Sequence, residues 1–302
     1  MVERKKQLEN VVARKKKCLT KMNTLNGISG CGIGLRSEHI LDVIPSGFTP
    51  DWLEITPENW IHMPYHYAEA FEEVISKFPI MTHGLSLSIG SPEALDMGFL
   101  KELKDFLDKY KIEHYSEHLS YSSFEGGQTY ELLPLPLTRK MIEHISDRVK
   151  KVEDFLGRAL ILENATYYDV PYAQMQERDF INEVMHKSGT KMLLDVNNVF
   201  VNARNHNFDA KAYIKDLSLD NVAYMHIAGH KYYEEDDIII DTHGADVCNS
   251  VWELLDFTLN LVDVPVMIER DNDIPSLGAM EEEYKTLEKI VKGRSKEVSR
   301  YA

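Results

Sequence analysis

The sequence predicts a single TIM-type (β/α)₈ barrel, and three observations support this fold. Short apolar runs alternate with longer amphipathic segments from residue 31 onward, as expected of repeated βα units. Eight such units can be traced, which is the number that closes a barrel. A doubly wound open sheet is disfavoured because the sequence has no G-x-G-x-x-G after the first strand and no P-loop. The candidate strands are 31–35, 52–56, 79–83, 114–118, 159–163, 191–195, 222–227 and 265–269.

Helical periodicity fills the intervals between these strands. Ser91-Pro92 reads as an N-cap residue followed by proline at the first helical position, and Thr138 can cap the segment after it. Two long segments, 120–137 and 228–248, interrupt the alternation, and loops of this size are often lids or binding loops. The candidate helices lie near 66–77, 93–109, 138–156, 174–188, 209–216, 249–262 and 280–292.

The domain organisation follows from length and charge. With 302 residues, 43% of them hydrophobic, the chain can bury one large core, which we expect over residues 31–292. Residues 1–30 carry eight Lys or Arg against two Glu, and we expect a basic extension there, with a polar tail over 293–302. The rest of the chain is strongly acidic. Since duplex nucleic acid is bound through basic surfaces, we expect no nucleic-acid partner.

The cysteine content and the hydropathy of the sequence indicate where in the cell the protein is located. Cys18, Cys31 and Cys248 are widely separated and form no C-x-x-C pair, which argues against a disulfide framework or a thiolate zinc site. No apolar run approaches the ~20 residues that span a bilayer, and the first residues lack the apolar stretch of a signal peptide. The sequence therefore predicts a cytoplasmic protein with no membrane partner.

Six consecutive candidate strands end on, or next to, a residue type that binds metal ions. A barrel brings the carboxyl ends of its strands to one mouth, where packed carboxylates repel one another unless cations neutralise them. Three imidazoles and three carboxylates suit iron, manganese or zinc, and the absence of thiolates argues against a purely structural zinc site. A multinuclear metal site is therefore predicted. The six residues are His83, His118, Glu163, Asp195, His226 and Glu269.

Further donors lie close in the sequence. Asp241 and His243 are two residues apart, so on an extended segment both side chains would point the same way. Asn198 lies three residues beyond Asp195 and can offer a carbonyl oxygen. Together these residues could hold another metal ion.

The order of these residues resembles the three-metal site of the endonuclease IV and xylose isomerase-like barrels. The departure is Asn198, where the endonuclease pattern has histidine, and it weakens the case for tight zinc binding at the third site. A closer resemblance is to the multinuclear non-haem iron-dependent oxidative enzymes (MNIO), which include the methanobactin-biosynthesis oxidase subunit. The matching segments run in order from residue 32 to 275 and are GIGLRSEHI, EITPENW, HGLSLSIG, SEHLSYS, LLPLPLT, LENATYY, LLDVNNVFVNARNH, HIAGH, IDTHG and IERDNDIP.

The MNIO resemblance implies a role for each candidate residue. One iron would bind to His83, His118 and Glu163, and Glu163 would also bind a second iron. The second site would be completed by Asp195, His226 and Glu269, and the third, more variable site corresponds to Asn198, Asp241 and His243. The residues implied to orient substrate or tune the metals near the mouth are His39, His230 and Arg270.

The same resemblance implies the chemistry and the partners. The cofactors would be two or three iron ions in a mixed Fe(II)/Fe(III) state, with O₂ as co-substrate. The substrate would be a cysteine-containing, ribosomally synthesised precursor peptide, delivered by a separate partner protein. The segments 120–137 and 228–248 are the expected peptide contacts. Three alternatives remain from the residues alone: a divalent-metal hydrolase such as an abasic-site endonuclease, a sugar isomerase with a bridging Glu163, and a scaffold without catalysis.

Overall fold

The computed structural model describes residues 25–124, 127–170 and 172–300, and residues 1–24 of the expected basic extension lie outside this range. Eight parallel strands close into a barrel in the order β1-β12-β9-β8-β7-β4-β3-β2, so each barrel strand lies beside the next one along the chain. The predicted barrel is confirmed. The strands are β1 (Cys31–Gly34), β2 (Trp52–Ile55), β3 (Ile80–Gly84), β4 (Tyr115–His118), β5 (Tyr121–Phe124), β6 (Gly127–Leu133), β7 (Leu160–Glu163), β8 (Lys191–Asp195), β9 (Val222–Ile227), β10 (Lys231–Tyr233), β11 (Ile238–Ile240) and β12 (Val266–Ile268).

Helices cover the outside of the barrel, and Thr138 begins its helix as expected, whereas Ser91 caps no helix because the helix after it starts at Met97. The Thr138 side chain accepts a hydrogen bond from the Met141 backbone N–H, and Asp96 caps its helix in the same way. The helix predicted to start at residue 93 therefore starts four residues later. The helices are α1 (Val43–Ser46), α2 (Glu58–Ile61), α3 (Tyr65–Lys77), α4 (Met97–Tyr110), α5 (Arg139–Leu156), α6 (Glu177–Ser188), α7 (Val196–His206), α8 (Ala210–Asp216), α9 (Asn249–Leu259) and α10 (Leu277–Arg300).

The short helices α1 and α2 were not predicted, and two longer helices also differ from the sequence prediction. Helix α7 was missed, because the run Val-Asn-Asn-Val-Phe-Val is rich in residues of low helix propensity. Its start is fixed by the Asp195 side chain, which accepts from the Asn198 backbone N–H at 2.6 Å. Helix α10 continues to Arg300 and so extends through most of the segment 293–302 that was expected to be a tail.

Each of the two long segments contains an antiparallel hairpin. Strands β5 and β6 pair directly after β4, with a register shift between Tyr121 and Ser123, and β10 pairs with β11 after β9. Both hairpins follow the carboxyl ends of barrel strands. They therefore lie on the side of the barrel where TIM-type barrels assemble their sites.

The amino-terminal end of the barrel is closed by an apolar layer. Trp52 and six other buried barrel side chains form one cluster with Ile28, and Leu25 packs against it. The barrel packing thus begins before Cys31, the boundary expected from the sequence. Gly32 makes room for this layer, because a Cβ atom there would lie 2.5 Å from the Trp52 ring. Among the described helices, none is long and apolar enough to cross a membrane.

Gly229, just after β9, is a position where substitution should destabilise the fold. A Cβ atom there would lie 1.9 Å from the backbone oxygen of Ala245 and 2.4 Å from its carbonyl carbon, and neither can move without shifting the chain. Gly229→Ala is expected to lower the free energy of unfolding by roughly 1–3 kcal/mol. Urea denaturation followed by circular dichroism measures this difference.

The matched control is Gly278→Ala in helix α10, where a Cβ atom would meet nothing within 4 Å. Alanine is the better helix former there, so the change should be stabilising or neutral, within about 1 kcal/mol. Equal stabilities for the two variants would show that the close approach at Gly229 is not required.

Candidate metal centre

The side chains that point into the barrel form two layers, because strand side chains alternate with a period of two. The lower layer is largely apolar and includes Trp52, Met81 and Ile161. The residues two positions further along the same strands are Glu54, His83 and Glu163, and all three are buried. The upper layer at the mouth is therefore built from imidazoles and carboxylates, on top of an apolar floor.

The first donor group consists of His83, His118 and Glu163. Strand register sets it: His118 and Glu163 are direct partners across β4 and β7. Glu163 Oε2 lies 3.0 Å from His83 Nε2 and 3.2 Å from His118 Nε2, and the two Nε2 atoms are 3.2 Å apart. Each ring uses Nδ1 for a hydrogen bond, with Ser116 and with the Gly84 carbonyl, so both Nε2 atoms face the carboxylate.

The second donor group shares Glu163 with the first. Its four ligand atoms lie within 4.8 Å of one another and belong to Glu163, Asp195, His226 and Glu269. Asp195 and His226 are register partners on β8 and β9, and His226 Nδ1 lies 2.9 Å from Glu269 Oε2. Asp195 has two roles, since Oδ1 caps helix α7 while Oδ2 is buried with no hydrogen-bond partner among the described residues.

The third donor group consists of His243, Glu269 and Asp271, so Glu269 is shared just as Glu163 is. His243 Nδ1 lies 2.9 Å from Asp271 Oδ2 and 3.2 Å from Glu269 Oε2. On the other edge of the ring, His243 Nε2 is 2.8 Å from Asp241 Oδ1, but the angle does not make a hydrogen bond. This group is the most open, because the Asp271 side chain is 42% exposed, compared with 1% for Glu163.

The arrangement fits metal ions. Metal bonds of about 2.1 Å place adjacent ligand atoms about 3 Å apart, which is the spacing in the first group. Within the described part of the chain, one atom in each group is buried without a hydrogen bond, namely Glu163 Oε2, Asp195 Oδ2 and His243 Nε2. Buried polar atoms are normally paired, and a cation bound at each group could supply the missing partner.

The charges in the metal-free centre are strongly coupled. Burial raises the pKa of Asp195 well above its usual value, and the neighbouring carboxylate of Glu163 raises it further. Burial opposes the charged form of His118, yet the carboxylate of Glu163, with that of Glu117, raises the pKa of this imidazole to about 9. The pKa of Glu269 is well below its usual value although burial opposes this, because His226 and His243 lie beside it. Protons thus hold the places that cations would take.

Asn198 lies beside the second group. Its Oδ1 accepts from the Thr166 hydroxyl at 2.9 Å, and the same hydroxyl is 2.8 Å from Asp241 Oδ2. Its Nδ2 donates to the Asn164 carbonyl at 3.0 Å and lies 3.5 Å from Glu163 Oε1. In this orientation the amide lies between the carboxylate of Glu163 and, through Thr166, that of Asp241, which is outside the three donor groups. The role of Asn198 as a metal ligand remains a prediction.

The residues expected to orient substrate differ in what they contact. His39 is buried, and its Nε2 donates to the Pro275 carbonyl at 2.8 Å. His230 is connected to Asp241, which lies beside His243 of the third group, since His230 Nδ1 lies 2.7 Å from Asn197 Oδ1 and Asn197 Nδ2 donates to Asp241 at 2.7 Å. Burial lowers the pKa of His230. On its other edge, His230 Nε2 is 3.9 Å from Cys248 Sγ.

Arg270 forms its ion pairs away from the donor groups, whereas Arg36, for which no role was predicted, lies beside them. The Arg270 guanidinium is buried and forms ion pairs with Glu283 at 2.8 Å and Asp246 at 3.0 Å. Neither carboxylate belongs to one of the three donor groups. Arg36 is the arginine at the metal centre: it forms an ion pair with Asp271, lies 3.8 Å from Glu269 Oε1, and donates to the Arg270 carbonyl.

Sequence reasoning missed Asp271, Glu54 and Arg36. Asp271 stands two residues after Glu269, which is the same spacing that identified Asp241 and His243. Glu54 stands one residue before the end of β2, and the period-two alternation would have placed it in the upper layer. The sequence offered no comparable signal for Arg36.

The family model for the RiPP precursor modification enzymes MbnB/TglH/ChrH matches residues 30–292. A UPF0276 protein of Acinetobacter baylyi is 41% identical over 255 residues, which cover 84% of this chain and 88% of that protein. A UPF0276 protein of Shewanella oneidensis is 44% identical over 249 residues, with coverages of 81% and 88%.

Solved structures are similar in fold at low sequence identity. D-psicose 3-epimerase from Clostridium cellulolyticum matches with a TM-score of 0.54 and 13% identity, over 90% of this chain and 98% of that one. Endonuclease IV from Thermus thermophilus matches with a TM-score of 0.52 and 12% identity, over 88% and 99%. The expected xylose isomerase-like barrel is confirmed. From the match over residues 30–292 and the relatives above 40% identity, the chain belongs to the RiPP precursor modification enzyme family MbnB/TglH/ChrH.

Proposed function

We propose that this protein is an iron- and O₂-dependent oxidase that modifies cysteine residues of a ribosomally synthesised precursor peptide in the cytoplasm. The observation that carries the proposal is the bridged donor set: Glu163 is shared by the first two groups and Glu269 by the last two, in a member of a precursor-modifying family. A mixed imidazole and carboxylate set without thiolates suits iron. Two or three iron ions bound there, in a mixed Fe(II)/Fe(III) state, would supply the electron-transfer and O₂ chemistry.

The residues of the protein would bind the metal ions, orient the peptide and shield the site from water. Buried ligands in the first two groups, such as Glu163 and Asp195, hold their positions away from bulk water. The third group opens toward solvent through Asp271, and we infer that the peptide cysteine approaches from this side. Arg36 would hold Asp271 and Glu269 in place through their carboxylates.

The peptide contacts are proposed to lie on the two hairpins that follow β4 and β9. Each presents exposed aromatic rings, with Phe124 on β5 and Tyr232 and Tyr233 on β10. Aromatic side chains on extended strands can bind a peptide through apolar contact. A separate protein that delivers the peptide is part of the proposal.

Hydrolase and isomerase chemistry have weaker support. The similar solved structures include an endonuclease and sugar epimerases, but at 11–16% identity they show the fold alone. Fold does not imply function, since one barrel architecture serves many reactions. The family match concerns precursor modification instead.

Iron content provides the first test. Protein purified without air from iron-supplied cells is expected to hold two or three irons per chain, measured by elemental analysis and Mössbauer spectroscopy. Glu163→Gln removes the ligand shared by two groups, so at least one iron should be lost and the remaining affinity should fall more than about 100-fold, since even outer partners account for 10–100-fold.

Glu253→Gln, an exposed carboxylate on helix α9, serves as the control and should keep the wild-type iron content. Stoichiometric zinc or manganese in place of iron, persisting when iron is supplied, would contradict the proposed oxidase.

Peptide modification provides the second test. Co-expression with a cysteine-containing precursor peptide encoded beside the gene should change the peptide mass, detected by mass spectrometry. The change should require O₂ and iron, and it should disappear when the peptide cysteines are replaced by serine. Turnover of a ketose or an abasic DNA without O₂ would instead favour the isomerase or the endonuclease.

The pH dependence of metal binding follows from the raised pKa values. In the metal-free protein His118 has a pKa of about 9, and the pKa of His226 and of His243 is also raised well above the usual value. A metal ion must displace these protons, so Co(II) affinity should increase as pH rises from 6.5 to 8.5. Each displaced proton contributes about one log unit per pH unit.

Anaerobic calorimetry in buffers of different ionisation enthalpy measures the number of protons released. Glu163 should contribute none, because the neighbouring His83 and His118 outweigh its burial and keep its pKa below the usual value. An affinity that does not change with pH would contradict protonated ligands in the metal-free site.

A further inference from the structure

A continuous chain of hydrogen bonds runs beneath the candidate metal centre and connects two of its donor groups. His83 Nδ1 lies 2.8 Å from Ser116 Oγ, and Ser116 Oγ lies 2.7 Å from the Tyr224 hydroxyl. The Tyr224 hydroxyl donates to Glu54 Oε2 at 2.8 Å. Glu54 also contacts His226 Nε2, at 3.0 Å from Oε1 and 3.1 Å from Oε2. One carboxylate thus connects a histidine of the first group with a histidine of the second.

The direction of each hydrogen bond follows from the chemistry of the groups. The Glu54 carboxylate can only accept hydrogen bonds, so Tyr224 Oη and His226 Nε2 are the donors. The hydroxyl proton of Tyr224 points to Glu54, so its oxygen can accept from Ser116 at 2.7 Å, which is closer than the Thr82 carbonyl, at 3.1 Å from the same Ser116 Oγ. Whichever of the two takes the Ser116 proton, the Ser116 oxygen accepts from His83 Nδ1. Both imidazoles therefore carry their proton on the edge that faces the chain.

The consequence is that the opposite ring nitrogens are free to bind metal. His83 presents Nε2 to Glu163 at 3.0 Å, and His226 presents Nδ1 to Glu269 at 2.9 Å. The two rings use different nitrogens, and the chain accounts for this difference. If either proton moved to the other nitrogen, that ring could not ligate.

Burial makes the chain of hydrogen bonds hard to replace. Ser116 and Tyr224 are fully buried and Glu54 is 2% exposed, so water cannot easily take the place of a missing partner. Two of the three lie in or near the apolar layer, where a hydroxyl without a partner is costly. Phenylalanine at position 224 would avoid the free-energy cost of burying a hydroxyl group if packing against Trp52 were the only role of this side chain.

We propose that Glu54 is a positioning residue that fixes the metal-binding tautomers of His226 directly and of His83 through Tyr224 and Ser116, and so couples the first two donor groups. This inference rests on the metal binding of the proposed function. Glu54, Tyr224 and Ser116 touch neither substrate nor metal in this scheme, and they act only through the histidines.

The test compares metal affinities of the individual groups. Fe(II) is bound anaerobically to the metal-free full-length protein in competition with a chelator, and ⁵⁷Fe Mössbauer spectra follow each iron. Tyr224→Phe breaks the chain between Glu54 and Ser116, so one iron should bind about 10–100-fold more weakly with an altered quadrupole splitting. The second iron should be unchanged, because Glu54 still holds His226. Glu54→Gln should affect both irons, and Ser116→Ala should repeat the Tyr224→Phe pattern.

Tyr213→Phe is the matched control. Tyr213 is another buried tyrosine whose hydroxyl donates to a carboxylate, Glu177, at 2.8 Å, but neither residue contacts a metal donor in the described contacts. This variant should lose stability on heating to a similar extent and keep both iron affinities. A merely structural role for Tyr224 would make the two variants alike.

Different results would contradict the positioning role of Glu54 and the proposed function. A wild-type protein that binds iron, with Tyr224→Phe binding both irons equally well, would overturn the positioning role alone. Equal weakening of both irons in Tyr224→Phe would also overturn it, because His226 does not depend on Tyr224. A wild-type protein that binds no iron would overturn the proposed function, and the positioning role with it.

Discussion

The structure depends on buried lone pairs that converge at the mouth of the barrel. Glu163 and two imidazole nitrogens meet at 3.0–3.2 Å, and Glu163 Oε2 has no hydrogen-bond partner among the described residues. Removing these groups from water costs several kcal/mol for each charge, and their mutual attraction offsets this only if protons or cations complete the set. The barrel places them there regardless, because the register of β4 against β7 makes His118 and Glu163 direct neighbours. This arrangement could hold a metal ion.

The rest of the barrel supports this arrangement by separating it from an apolar floor. The alternation of side chains in each strand puts Trp52 below Glu54 and Met81 below His83, so the same strands carry a packed layer and a polar layer. The floor excludes water from below, and Ile28 closes it at the amino-terminal end. Ser116 and Tyr224 are the polar exceptions at the boundary between the layers, and both form hydrogen bonds that lead to the layer above.

Sharing of carboxylates makes the centre a single unit rather than a set of separate sites. Glu163 belongs to two donor groups and Glu269 to two, so the position of each group constrains its neighbour. Exposure increases from the first group to the third, from a nearly inaccessible Glu163 to a partly open Asp271. This gradient suits an enzyme that must hold its cofactor firmly and still admit a large substrate on one side, as modification of a precursor peptide requires.

The sequence by itself determined the barrel, its eight strands and the strand-end donors, because hydrophobic periodicity and strand ends are local properties. Six residues chosen from strand ends all lie within the donor groups of the structure. Tertiary structure decided which other side chains join them. Arg270 and Asp271 are adjacent, yet only Asp271 faces the donors, because consecutive residues on an extended segment point in opposite directions. Glu54 reaches the centre from β2 and Arg36 from the segment just after β1, both far from the other donors in the chain, and only the closure of the barrel brings them there.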